Sequence, residues 1–309
     1  MSMEQFTDKL CKALQEVMGE QYKFSVKEIT KNNGIRYQAI LFMKRGSNIS
    51  PTISLEPFYE AYLEGKSMGD IVYDILCLYR KCAKEIRMDM NFFESYDNVR
   101  TRIFYKLVHK GSNEKMLSEI PYQPWQDLAL VFYYALEDAR IGRAAIIVRN
   151  SHLQMWGIDR NMLLGDAARN MRTLLPEELV PMQQMIREIL REETLEADVA
   201  RLPEELSFAA AKDADISMYV LSNRERLYGA ASILYSDKIK HLARRLDRNL
   251  IILPSSVHEV LLVPDNGHME KEFLHNMVKE VNDTHVDPEE ILSYNVYYYD
   301  RIKEEIHIL

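Results

Sequence analysis

A chain of 309 residues with 47% apolar and 28% charged side chains has the make-up of a globular protein, with room for one large domain or two ordinary ones. Its net charge of −8 works against general binding to nucleic acid or to an anionic membrane, since both need a basic surface. Its 11 Gly and 10 Pro are too few for a linker-rich or low-complexity chain.

The opening stretch, "MSMEQFTDKLCKALQEVMGE", is broken by Glu4, Asp8, Lys9, Lys12 and Glu16. It reads as a helix rather than a signal peptide, which needs an uninterrupted apolar run. Ser2 and Gln5 have capping-box spacing, Phe6, Leu10, Leu14 and Val17 share a face, and Gly19 offers a stop. Runs such as "LALVFYYAL" are too short to span a bilayer, which takes about 20 residues. A soluble, cytoplasmic protein with no membrane contact is expected. The three cysteines fit that compartment. Cys77 and Cys82 point from different sides of one helix, so no disulfide is expected between them.

Period-two alternation follows in Tyr22–Val26 and in Ile35–Met43. Between them "NNG" suits a turn, so a hairpin is predicted. "SPTISLEPFYEAYLEG" reads as a short strand and a short helix, and Ser67 to Arg87 as a long helix with Ser67 and Asp70 as its cap. "DLALVFYYAL" and "RAAIIVRN" read as two strands, followed by helices from about Ser151 and Asp159. Pro181 is read as opening a further helix. Residues 191–215 carry eight acids against three bases and form an expected acidic connection. "ISMYVLSNRERLYGAASILY" gives two strands or a strand and a turn, then a helix over Asp237–Leu246. "NLIILPSSVHEVLLVPD" gives two strands turning at Pro254–Ser256, then a helix over Met269–Asn282. "SYNVYYYDR" and "EIHIL" close the chain as strands. The order strand, strand, helix, three times over, predicts an α+β fold with largely antiparallel sheets and helices packed on one side. The expected division is a helix–hairpin–long-helix region over 1–110 and a larger α+β region over 111–309.

The most chemical stretch is "PSSVHE". Acyl transfer needs a serine within hydrogen-bond reach of a histidine that a third group orients. Ser255 or Ser256 with His258 supplies the first two, and Glu259 or Glu225 is a candidate for the third. The competing reading is a turn, with His258 and Glu259 as polar positions on a partly exposed edge. The surrounding residues lack the G-x-S-x-G context of a nucleophile elbow, which favours the turn. The eight histidines show neither H-x-x-x-H nor C-x-x-C spacing, and no glycine-rich phosphate loop is present, so no metal and no cofactor is expected. Lys238, Lys240, Arg244, Arg245 and Arg248 read as the solvated face of a helix. Tyr294, Tyr297, Tyr298 and Tyr299 are candidates for a binding surface, although tyrosine is also a good strand former.

"NISPTISLEPFYEAYLEG", "DLALVFYYAL", "MYVLSNRERLYGAASILY", "LIILPSSVHEVLLVPD" and "VYYYDR" resemble, in this order, a family of uncharacterised bacterial proteins carried mainly by Gram-positive anaerobes and known as a domain of unknown function. The resemblance runs along nearly the whole chain. It implies one shared architecture and an intracellular bacterial setting, and it brings no catalytic residue, substrate or cofactor. The function expected from the residues is a non-enzymatic module that binds another protein. The alternative is a hydrolase or transferase using Ser255 or Ser256 with His258, and a further alternative is an acidic mimic of nucleic acid.

Overall fold

The computed structural model describes residues 1–45, 52–82, 90–138, 142–193 and 218–309. Most of the acidic 191–215 segment and the end of the long helix beyond Cys82 lie outside the described residues. By its contacts the chain divides into two units, residues 1–99 with 135–146 and residues 100–134 with 147–309.

In the first unit, helix α1 (Met3–Met18) starts on the expected capping box. The Ser2 hydroxyl accepts from the Gln5 backbone, and the Gln5 side chain accepts from the Ser2 backbone. Gly19 ends the helix at φ 73°. Strands β1 (Tyr22–Thr30) and β2 (Arg36–Lys44) form the hairpin, with Asn33 and Gly34 both at positive φ in its turn. Strand β3 (Thr52–Ser54) adds to β2, and helices α2 (Glu56–Leu63) and α3 (Met68–Cys82) follow. Ser67 caps α3 by accepting from the Asp70 backbone N–H.

The alternation of the hairpin puts Phe24, Val26, Ile40 and Phe42 on one face. Phe6, Leu10 and Leu14 of α1 and Ile71, Ile75 and Tyr79 of α3 close over that face. Phe42 is fully buried, with its ring 4.4 Å from that of Tyr79 and 5.2 Å from that of Phe24. Two short helices, α4 (Met90–Glu94) and α5 (Tyr96–Val99), end this stretch.

The second unit begins with β4 (Ile103–His109), followed by α6 (Glu114–Leu117), β5 (Tyr122–Trp125) and most of β6 (Leu128–Asp138), while the end of β6 and nearly all of β7 (Gly142–Ile147) count by their contacts with the first unit. β6 pairs with β4, β5 and β7. Then come α7 (Asn150–Trp156), α8 (Arg160–Leu174), β8 (Glu177–Pro181), α9 (Met182–Glu193) and β9 (Tyr219–Asn223). A 3₁₀ turn (Gly229–Leu234), α10 (Asp237–Leu246), β10 (Leu250–Pro254), β11 (Val260–Pro264), α11 (Lys271–His285), β12 (Tyr297–Asp300) and β13 (Glu305–Ile308) complete the chain. Six strands form one antiparallel sheet in the order β13-β12-β10-β11-β9-β8. β10 is buried at every position, as its unbroken apolar run requires. Leu274 and Val278 of α11 pack onto Ile251, Leu253 and Val263 on one face of this sheet.

The α+β class and the antiparallel pairing are those expected, and three strands, β4, β5 and β8, are added to the expected ones. The helix expected from Pro181 is α9, which begins at Met182, and the added feature is β8 before it, an edge strand whose last residue can be proline because an edge position does not need its N–H. β4 and β5 were not anticipated. Of the two alternatives for the stretch leading to α10, the strand and turn is found, as β9 and the 3₁₀ turn, so the middle of the three repeats runs strand, helix, strand, 3₁₀ turn, helix.

Two substitutions test this packing. Phe42→Ala should cost about 3–5 kcal/mol of stability in urea unfolding, the range for truncating a buried phenylalanine. Gly165 lies inside α8 with no atom within 4 Å of where a Cβ would sit. Gly165→Ala should therefore stabilise the chain by about 0.5–1 kcal/mol.

Candidate functional site

The connection between β10 and β11 is Ser255–Glu259, longer than the expected turn at Pro254–Ser256. His258 and Glu259 therefore sit in the loop and not on the strand. The loop closes on itself: the Ser256 N–H donates to the Glu259 carbonyl at 3.2 Å, and the Ser256 hydroxyl accepts the His258 N–H at 3.0 Å. Ser256 is buried and Ser255 is partly exposed. The Ser222 hydroxyl, on β9, donates to the His258 carbonyl at 2.8 Å.

The His258 ring is held separately. Its Nδ1 accepts the Tyr228 backbone N–H at 3.1 Å, which leaves the proton of the neutral ring on Nε2. Nε2 lies 3.4 Å from a carboxylate oxygen of Glu290. Neither nitrogen meets a serine hydroxyl among the described residues. Glu225 stands exposed on the turn after β9. Burial pushes the Glu259 carboxyl up from the ordinary range, partly offset by His258 and Arg226. The carboxylate set against the ring is thus Glu290, which the sequence reading did not select.

Tyr228 is reached through a strained turn. Arg226 and Tyr228 both adopt positive φ, at 50° and 53°. The fully buried Asn223 side chain clamps the turn, accepting the Leu227 N–H and donating to the Leu227 carbonyl. The next residue must be glycine. A Cβ on Gly229 would lie 2.0 Å from the Ser222 oxygen and 2.6 Å from both the Asn223 nitrogen and the His258 carbonyl oxygen. The Tyr228 ring then stacks on His258, with centroids 5.5 Å apart and planes 12° apart. Lys106, the one charge in the strand "IFYKLVH", brings its ammonium to 4.2 Å from the Tyr228 centroid. Burial lowers the Lys106 amine to about 8, partly opposed by Glu289. A histidine with a carboxylate and a part-neutral lysine can move protons. Of the two serines the acyl-transfer reading names, Ser256 is engaged with the backbone and Ser255 is partly exposed, without a bond to the His258 ring.

The tyrosine-rich end divides. Tyr297 and Tyr299 are buried in β12, Tyr298 is partly exposed and bonds Asp265 at 2.7 Å, and Tyr294 is exposed and bonds Asp283 at 3.0 Å. Tyr297 donates to Asp127, which also accepts from Ser293 and Asn295. Asp127 and Gln126 form the two-residue tip of the β5–β6 hairpin, and Gln126 donates to the Ile306 carbonyl of the edge strand β13. Trp125 lies 5.7 Å from the Tyr297 ring. Between this tip, α10 and β13 lies a cleft of about 340 Å³. Trp125, Ile239, Tyr299 and Ile306 line it together with the charged Lys240 and Glu304.

A second serine–histidine–aspartate row is present. The Ser112 oxygen is 2.8 Å from His109 Nδ1, and His109 Nε2 is 4.0 Å from Asp127. The Ser112 backbone N–H also donates to that Nδ1, and Asp127 is already bonded three times, so the row closes a turn. The basic helix face is engaged within the chain. Lys238 donates to the Glu177 carbonyl, Lys240 and Arg244 bind Glu304, and Arg245 lies over Tyr219. Among the described residues no cluster of His, Cys, Asp or Glu could hold a metal ion, and no helix is long and apolar enough to cross a membrane.

Residues 3–301 match the model of DUF5688, a family of unknown function. This chain belongs to that family. No curated protein and no solved structure matches it. Membership of DUF5688 accounts for the likeness seen along nearly the whole sequence and assigns no role to any residue.

Two outcomes test the His258 cluster in this family member. Gly229→Ala should destabilise it by about 3 kcal/mol or more, because two of the three clashing atoms are backbone. The second concerns Lys106. Its amine loses a proton at a lower pH in the folded chain than its ordinary value of 10.5. Between about pH 8 and 10.5 the unfolded chain therefore holds more protons, and this group's contribution to stability rises with pH. Lys106→Met should remove that rise, on the order of 2 kcal/mol in the wild type relative to the variant. Urea unfolding at pH 7 and pH 10 measures it, and equal pH dependence in both proteins would refute the buried amine.

Proposed function

We propose that this chain is a non-enzymatic binding protein that engages another protein at the β12–β13 end of its larger sheet, in an intracellular bacterial setting. One observation carries the reading. The cleft of about 340 Å³ beside β13 falls in the size range of ligand pockets and combines aromatic and aliphatic walls with a few charged groups. At the adjoining turn Ile302 is 82% exposed. The Asp300 carboxylate fixes that turn by accepting the Ile302 and Lys303 N–H groups, so an apolar side chain is held out to solvent on a rigid support. Free thiols at Cys11 and Cys77 suit a reducing compartment. The hydrolase alternative, which uses Ser255 or Ser256 with His258, is weakened because the Ser256 hydroxyl accepts the His258 backbone N–H and neither ring nitrogen of His258 meets a serine hydroxyl among the described residues. The acidic-mimic alternative depends mainly on the acidic segment 191–215, most of which lies outside the described residues.

Affinity capture from native cells with the full chain tests the proposal. A partner cross-linked near β13 should be retained by Ser256→Ala and by Phe273→Glu, an exposed control on α11. It should fall at least tenfold with Ile302→Glu or Ile306→Glu, as for loss of an interface anchor worth about 1.4 kcal/mol or more. Capture that ignores both isoleucines, or that needs Ser256, would defeat it.

A further inference from the structure

Glu304 sits at the mouth of the cleft in an unusual way. Its backbone is left-handed, at φ 57°, a conformation that favours glycine or asparagine. Its carboxylate bridges two cations of α10, Lys240 at 2.5 Å and Arg244 at 2.8 Å. The Lys240 hydrogen bond holds that carboxyl below the usual carboxylate range. Both oxygens are therefore bound as an arriving anion would be, one to an ammonium and one to a guanidinium. The pair is nevertheless on the surface, with the Arg244 side chain 60% exposed and Glu304 37% exposed. Ion pairs of that exposure are weak and exchange readily. With Glu304 swung away, Lys240 and Arg244 are left without that carboxylate, and the cleft opens onto Trp125, Tyr299 and Ile306.

We propose that Glu304 occupies the place of a partner's carboxylate, and that the cleft takes an acidic segment in which a Glu or Asp is adjacent to an aromatic or bulky aliphatic side chain. The carboxylate binds Lys240 and Arg244, and the apolar side chain enters between Trp125 and Tyr299. This rests on the reading of the cleft as a protein-binding surface and names the chemistry of the segment bound there.

The test uses the full chain with Trp156→Phe, so that Trp125 is the remaining tryptophan and its fluorescence reports the cleft. Two capped peptides are titrated, Gly-Glu-Phe-Glu-Gly and its counterpart with glutamines in place of both glutamates. The acidic peptide should bind more tightly than the neutral one. Glu304→Gln should tighten the acidic peptide about fivefold, the change expected from releasing one exposed ion pair. The neutral peptide should be unaffected by that substitution. Lys240→Met should weaken the acidic peptide, and added salt should narrow the gap between the two peptides. Equal binding of the two peptides, no binding of the acidic one, or no response to Glu304→Gln would overturn the proposal. If the peptides fail while cellular capture still depends on Ile302 and Ile306, protein binding stands and the acidic class is wrong. If capture also ignores those residues, both readings fall.

Discussion

Much of the larger unit's recognisable surface depends on one carboxylate. Asp127 accepts hydrogen bonds from the Ser293 and Tyr297 hydroxyls at 2.6 and 2.7 Å and from the Asn295 amide at 3.0 Å. A carboxylate with little solvent access is costly unless its lone pairs are filled, and three donors fill most of them. The same bonds fix the tip of the β5–β6 hairpin against the start of β12. Gln126 can then reach the Ile306 carbonyl and blunt the sheet edge. Trp125 can rest on Tyr297, and the space left beside α10 becomes a cleft. The phenol of Tyr297 is pushed well above its ordinary range by burial and by Asp127, so it remains a donor at any physiological pH.

The His258 cluster follows a different logic. It sits where three backbone segments meet at van der Waals distance, and Gly229 permits the approach because it has no side chain. The ring of His258 is oriented by a backbone N–H and a carboxylate, as catalytic histidines often are. Orientation of a base is only half of a nucleophilic site. The Ser256 hydroxyl is bonded to the backbone and no serine hydroxyl reaches the ring among the described residues, so the geometry is that of a well-braced joint.

Much of the fold was legible because it obeys the two simple periods. The capping box of α1, the hairpin, and the apolar runs of β10 and β11 all appear where spacing places them. β4 escaped notice because "IFYKLVH" is buried on both faces and shows no alternation. β8 escaped because "EELVP" carries two acids and a proline, a composition that fits an edge strand as well as a helix start. The site was legible only in part. His258 and Ser256 were visible as residue types, but Glu290, Tyr228 and Lys106 come from other segments, and no local pattern links them. The tyrosines of β12 read as a surface and turned out mixed, since a strand inside a sheet sends alternate side chains to opposite faces. Trp125 and Glu304, which shape the cleft, carry no sequence signal beyond their identity.

The bonds to Asp127 from Ser293 and Tyr297 span 166 and 170 residues of chain. A contact of such separation closes a large loop, which costs chain entropy that a local pair such as the β10–β11 hairpin does not. Before that closure Trp125 has no Tyr297 beneath it and β13 has no hairpin tip against it. The cleft is therefore absent from any chain in which the Asp127 contact is open. Any partner that recognises this surface would select finished molecules from unfinished ones without a separate checkpoint.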